Sequence, residues 1–149
     1  MRWTVELSSP SRFPPMRATL KVGATAEVEF VVAPEHVIPF SDHQMPAVLS
    51  TPQLIAFLEQ AARTAMEEVL DEDERTVGVQ VDVQHLAATP LGSRVLCRAR
   101  VIHVQGRQAT FQIEAHDSHE RVARGVHRRQ VIRVGRFAEQ VRRKLPDVN

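Results

Sequence analysis

The chain has 149 residues, 43% apolar and 25% charged, with a net charge of +1. That suits one soluble domain with a real core and argues against a general nucleic-acid binder, which would carry a strongly basic face. The single cysteine, Cys97, excludes an intrachain disulfide framework and fits a reducing, cytoplasmic setting; no apolar run approaches the ~20 residues of a membrane span.

Residues 1–20 hold Ser8-Ser9-Pro10 and Phe13-Pro14-Pro15 and read as a partly ordered extension, without the apolar core of a signal peptide. A single domain then runs from 21 to 149. Over 24–32, Ala26, Val28, Phe30 and Val32 alternate with Thr25, Glu27, Glu29 and Val31, which predicts a strand. Residues 33–50 carry Pro34, Pro39 and Pro46 beside His36, Phe40, His43, Met45 and Leu49. So long and bulky a connection reads as a lid or binding loop.

The clearest helix follows, from about Thr51 to Leu70. Thr51 offers an N-cap hydroxyl and Pro52 suits the first helical position. On a helical wheel Leu54, Ile55, Leu58, Ala62, Ala65, Met66 and Val69 share one arc, with Gln53, Gln60, Arg63, Thr64 and Glu67 opposite. Glu59 is the misfit, at the edge of the apolar arc. A carboxylate there must reach water, find a partner, or have its pKa raised by desolvation. The acidic run Asp71-Glu72-Asp73-Glu74 sits unfavourably at a helix C-terminus and reads as an exposed turn.

Val77, Val79, Val81 and Val83 then alternate with Gly78, Gln80, Asp82 and Gln84, and counting on by two places His85 on the valine face. After a turn over 86–92 come strands at 94–104 and 108–116, joined by a Gln105-Gly106 hairpin turn. On the first of these, Cys97 alternates with Val95, Ala99 and Val101 as a small core residue. A last strand spans 122–134 and a short basic helix 137–145. The order is strand, long loop, helix and four strands joined by short turns, which makes antiparallel neighbours. One apolar helical stripe needs a sheet face to cover it. An α+β fold follows, a curved antiparallel sheet wrapped around one central helix.

Two polar groups stand on apolar faces, Glu59 and His85. Together in a partly dry cleft, a carboxylate and an imidazole supply acid–base or nucleophilic chemistry. The plainer alternative has Glu59 rimming the stripe and His85 satisfied in the core, with Thr51 only a cap. His36, His43, His103, His116, His119 and His127 read as surface residues, with no metal-type spacing. Arg98, Arg100, Arg128 and Arg129 read as phosphate ligands or as a solvated outer face.

Several segments resemble the hot-dog-fold acyl-CoA thioesterases, and within them the fluoroacetyl-CoA thioesterase-like branch. They are Met45-Pro46-Ala47-Val48-Leu49-Ser50-Thr51, the helix through Glu59 to Met66, and Gly78 to His85-Leu86-Ala87-Ala88-Thr89-Pro90-Leu91-Gly92. Val104-Gln105-Gly106-Arg107, Ala115-His116-Asp117 and 125–132 extend the similarity, which covers roughly 24–140. The resemblance implies a hot-dog fold, a homodimer or higher assembly with its sites at the subunit interface, and hydrolysis of an acyl-CoA thioester. It implies Thr51, Glu59 and His85 as the catalytic set, with Gly78 and Arg129 at the substrate. No metal or cofactor is implied, because the CoA thioester is itself the substrate. Met45 stands where the branch's founding enzyme has a Phe over the acyl pocket. A thioether is the more adaptable lid, which points to an ordinary short- or medium-chain acyl group. Hot-dog domains also include non-catalytic acyl-CoA-binding modules and hydratases or dehydratases, which stand as the alternatives.

Overall fold

The computed structural model describes residues 20–38 and 44–147. Its elements are β1 (Thr25–Val31), a 3-10 turn (Pro34–His36), α1 (Thr51–Glu67), β2 (Glu74–His85), β3 (Arg94–Gln105), β4 (Gln108–His116), β5 (Arg121–Arg133) and α2 (Val134–Arg142). The five strands form one curled antiparallel sheet in the order β1-β3-β4-β5-β2. The predicted strands and helices are therefore all present.

One expected adjacency is not. A short turn between β2 and β3 predicts neighbours, yet β2 pairs with β5 at the far edge of the sheet. The link over 86–93 crosses the end of the sheet instead of folding back. It is tied down as it goes, from Leu86 N–H to the Val122 carbonyl and from Gly92 N–H to the Val32 carbonyl. Thr89 accepts from Leu49 N–H on the way, and Val48 bridges to Pro90. Apart from Ser93 N–H, which turns back to the Pro90 carbonyl, its backbone partners lie in segments distant in sequence.

The core lies between α1 and the concave face of the sheet. Leu54, Leu58, Ala61, Ala62 and Met66 are the buried residues of α1. Val95, Cys97, Ala99 and Val101 of β3 and Ala109, Phe111, Ile113 and Ala115 of β4 belong to the same buried cluster. Each is an odd-numbered residue, as a two-residue side-chain period requires. Burying each large side chain stabilises the fold by about 1.5–3 kcal/mol. Cys97 is fully buried, and desolvation pushes its thiol up to about 12. The Gln105-Gly106 hairpin forms as predicted, with Gly106 at φ +58.

Three local readings need correction. The N-cap of α1 is Ser50, whose hydroxyl accepts from Gln53 N–H at 3.4 Å, so Thr51 is already helical and its side chain is released from capping. Glu74 is not in an exposed turn. It is fully buried, accepts from Asp71 N–H and forms an ion pair with Arg107 of the β3–β4 turn. The C-terminal helix starts directly at Val134, three residues earlier than its pattern suggests, and has no buried residue. In the long loop, Leu49 is buried and pairs with Val37, while Phe40 and His43 lie outside the described residues.

Candidate active site

Gly78 and His85 stand seven positions apart, an odd number that would put them on opposite faces of a regular strand. The pairing of β2 with β5 shifts register between Gly78 and Gln80, where one extra residue forms a β-bulge. Before the bulge, Thr76 lies opposite Val131 and Gly78 opposite Arg129. After it, Val81 lies opposite His127, Val83 opposite Gly125 and His85 opposite Ala123. The bulge therefore turns both Gly78 and His85 toward the face that carries α1. Val77 falls on the other face, so the four-valine stripe is broken at its first member.

Glu59 projects from α1 into the first part of this face. Its Oε2 accepts from Arg129 Nη1 at 3.2 Å, and the carboxylate remains about one-third exposed. Arg129 is buried and held on its other edge by Thr76. Its Nε donates to Thr76 Oγ1 at 3.0 Å and its Nη2 to the Thr76 carbonyl at 2.9 Å. A side chain on Gly78 would collide with the Glu59 carboxylate, so the glycine makes the seat that the carboxylate occupies. Burial lowers the pKa of Arg129 while the Glu59 charge works in the opposite direction. The result is a partly exposed carboxylate fixed at one oxygen by a buried guanidinium.

His127 is the residue that sequence reading missed. Far from the surface, it is fully buried against this group. Its Nδ1–H donates to the Gln80 carbonyl at 2.8 Å, and its Nε2 lies 3.2 Å from Arg129 Nη1 and 3.8 Å from Glu59 Oε2. Desolvation is the main reason its pKa is lowered, so it is neutral and the Glu59 contact is not an ion pair. The pattern of β5 gave no signal. Ala123, Gly125, His127, Arg129 and Val131 share one parity, but the other carries Val122, Val126 and Ile132 beside Arg124, Arg128 and Gln130, so neither side reads as the one to bury.

The second centre lies at the start of α1. Thr51 Oγ1 and His85 Nδ1 form a hydrogen bond of 2.8 Å. His85 Nε2 is buried with no partner among the described residues. Burial lowers the His85 pKa below 6.5, opposed by a hydrogen bond to the Ala87 backbone. An imidazole held at one nitrogen by a hydroxyl, with the other nitrogen available, is equipped to accept or deliver a proton.

The structure thus brings Thr51 to His85 and Glu59 to Gly78 and Arg129, and it keeps the two groups apart. Thr51 and Glu59 are eight residues apart on one helix, or roughly 12 Å along its axis. Met45 is half exposed and lies in the loop ahead of Thr51. Of the other strand arginines, Arg98 pairs with Glu27 on the outer face of the sheet. No cluster of side chains suited to a metal occurs among the described residues, and none of their helices is long and apolar enough to cross a membrane.

A family model described as fluoroacetyl-CoA-specific thioesterase matches residues 32–134. A fluoroacetyl-CoA thioesterase from Streptantibioticus cattleyicolor is 33% identical over 137 residues, covering 88% of this chain and 99% of that protein. A solved structure of a fluoroacetyl-CoA thioesterase superposes with a TM-score of 0.80 at 30% identity, over 87% of this chain and 100% of the other. A Thermus thermophilus protein described as a thioesterase superfamily member gives a TM-score of 0.77 at 26% identity, covering 85% and 93%. The curled sheet around a central helix is the hot-dog architecture.

Proposed function

This chain belongs to the fluoroacetyl-CoA-specific thioesterase family, and on that premise we propose that it hydrolyses a short- or medium-chain acyl-CoA to the free acid and CoA. The observation that carries the reading is Glu59, a carboxylate about one-third exposed and fixed by Arg129 on an otherwise apolar helix face. With one oxygen held, the other is the base that takes a proton from water, or the nucleophile that attacks the thioester carbonyl. Thr51 and His85 form the complementary unit. His85 passes to the departing thiolate a proton that the attacking water replaces, and Thr51 fixes the ring. Gly78 and Arg129 flank the carboxylate and so border the space where a thioester carbonyl meets it. Met45, flexible and half exposed, closes over the acyl group. The reaction uses no cofactor.

The separation of roughly 12 Å within one chain is too large for both units to reach the same carbon. We therefore place each site across a homodimer, Glu59 from one protomer meeting Thr51 and His85 from its partner. Two features support this arrangement. β2 is an edge strand, and Val81 in its far half and Leu86 just beyond its end are exposed large apolar residues. The lone buried thiol of Cys97 fits the cytoplasm.

The test is a thiol-release screen across acyl-CoAs of increasing length and branching. Turnover of short and medium chains supports the assignment. Tight binding of acyl-CoA without thiol release would indicate a binding module, and hydration of crotonyl-CoA without thiol release a hydratase. Single-turnover incorporation of labelled water oxygen into Glu59 separates nucleophilic attack from base catalysis.

A further inference from the structure

We propose that His127 is a positioning residue for the reaction: as a neutral imidazole protonated on Nδ1, it accepts one Nη1 proton of Arg129 and so directs the other at Glu59. The inference rests on the reading of Glu59 as the reactive carboxylate.

Hydrogen-bond chemistry alone fixes the tautomer. The Gln80 carbonyl can only accept, so the His127 Nδ1 at 2.8 Å must carry a proton. A guanidinium can only donate, so His127 Nε2, 3.2 Å from Arg129 Nη1, must be bare. Arg129 Nη1 carries two protons, and its two acceptors are His127 Nε2 and Glu59 Oε2, each at 3.2 Å. His127 Nε2 and Glu59 Oε2 lie 3.8 Å apart, two acceptors facing one shared donor. Thr76 holds the opposite edge of the guanidinium. Arg129 therefore has no spare direction at Nη1, and the carboxylate must lie where the remaining proton points.

The β-bulge completes the device. His127 lies opposite Val81 in the ladder, and the carbonyl that receives its Nδ1–H is that of Gln80, the first residue after the register shift. The irregularity that brings Gly78 and His85 to one face thus also presents the carbonyl that selects the His127 tautomer. Protonating Nε2 would set an N–H against the Arg129 cation and compete for the Glu59 oxygen. Burial opposes that step.

Two substitutions test the proposal. His127→Phe fills the space without an acceptor, whereas His127→Gln keeps an acceptor for Arg129 and a donor for Gln80. For an acyl-CoA that the wild-type enzyme turns over, His127→Phe is expected to lower kcat at least tenfold with KM changed less than about threefold. His127→Gln is expected to stay within about threefold of wild type. In a Glu59→Gln background, His127→Phe should change the residual rate by less than twofold, because a positioning residue has nothing left to position. An undiminished effect in that background, or equal losses in both His127 variants, overturns the proposal. Nitrogen-15 spectra of the imidazole read the tautomer without any assay. A neutral Nδ1–H form at pH ~7 is expected, and an Nε2–H form or an imidazolium overturns the assignment. If the wild-type protein releases no thiol from any acyl-CoA, the thioesterase reading fails and with it the catalytic role of His127. The spectra still decide the tautomer in that case, so the two failures are told apart.

Discussion

Glu59 and Gly78 are matched in shape: a Cβ built on residue 78 would stand 2.5 Å from Glu59 Oε2 and 3.1 Å from His127 Cε1. No carbon approaches a carboxylate oxygen so closely, and the carboxylate is the end of a flexible side chain, so it is the carboxylate that would move. Gly78→Ala is expected to leave the fold intact and to displace Glu59 from Arg129. The predicted loss in kcat is at least tenfold, with the thermal midpoint changed by only a few degrees. A variant as active as wild type would show that the seat is not needed.

The distance between the two polar centres predicts complementation. Glu59→Gln and His85→Ala are each expected to retain at most about 1% of the wild-type rate alone. After unfolding and refolding them together in equal amounts, half of the dimers pair one of each. One of the two sites in such a dimer takes both wild-type residues, so about a quarter of the wild-type rate should return. Recovery of no activity would place the whole site within one protomer.

Two imidazoles, His127 fully buried and His85 half-buried, make stability depend on pH. His85 and His127 have folded pKa values held below 6.5, the value taken for the unfolded chain. On acidification the unfolded chain binds protons first, so stability is full above that value and declines as pH falls toward the folded pKa values. The urea midpoint is expected to be lower at pH ~5.5 than at pH ~7.5, and His127→Gln should reduce the difference. Equal midpoints at the two pH values in the wild-type protein would contradict this.

The ion pair between Glu74 and Arg107 is a matter of stability rather than catalysis. Glu74 is fully buried, so among the described residues Arg107→Ala leaves its carboxylate with only the Asp71 N–H. The expected cost is about 3 kcal/mol or more, read from urea unfolding. A loss under about 1 kcal/mol would show that the carboxylate reaches water or takes up a proton.

Local pattern made the elements legible, and long-range placement was what it lacked. The two-residue period of β3 and β4 and the wheel of α1 identify the core directly, because each follows from the geometry of a single element. The position of β2 beside β5 does not, since it depends on where the link over 86–93 finds backbone partners. Glu59 stood out as a carboxylate on an apolar face. Its partner Arg129 did not, because an arginine on a strand looks alike whether it faces solvent or a buried carboxylate. His127 and Glu74 were misjudged for the same reason: polar residue types suggest a surface, while their burial is decided by Gln80, Arg129 and Arg107, all distant in sequence. The role of Thr51 was obscured by its own good capping chemistry. Only the structure shows Ser50 taking that task.

The most direct measurement is thiol release by Glu59→Gln beside wild type, on the acyl-CoA that the wild-type protein turns over fastest. The substitution keeps the size of the side chain and removes the charge that Arg129 holds. The predicted loss in kcat is on the order of 10²–10⁴-fold with acyl-CoA binding retained. A Glu59→Gln protein that hydrolyses acyl-CoA at the wild-type rate would contradict the assignment of Glu59.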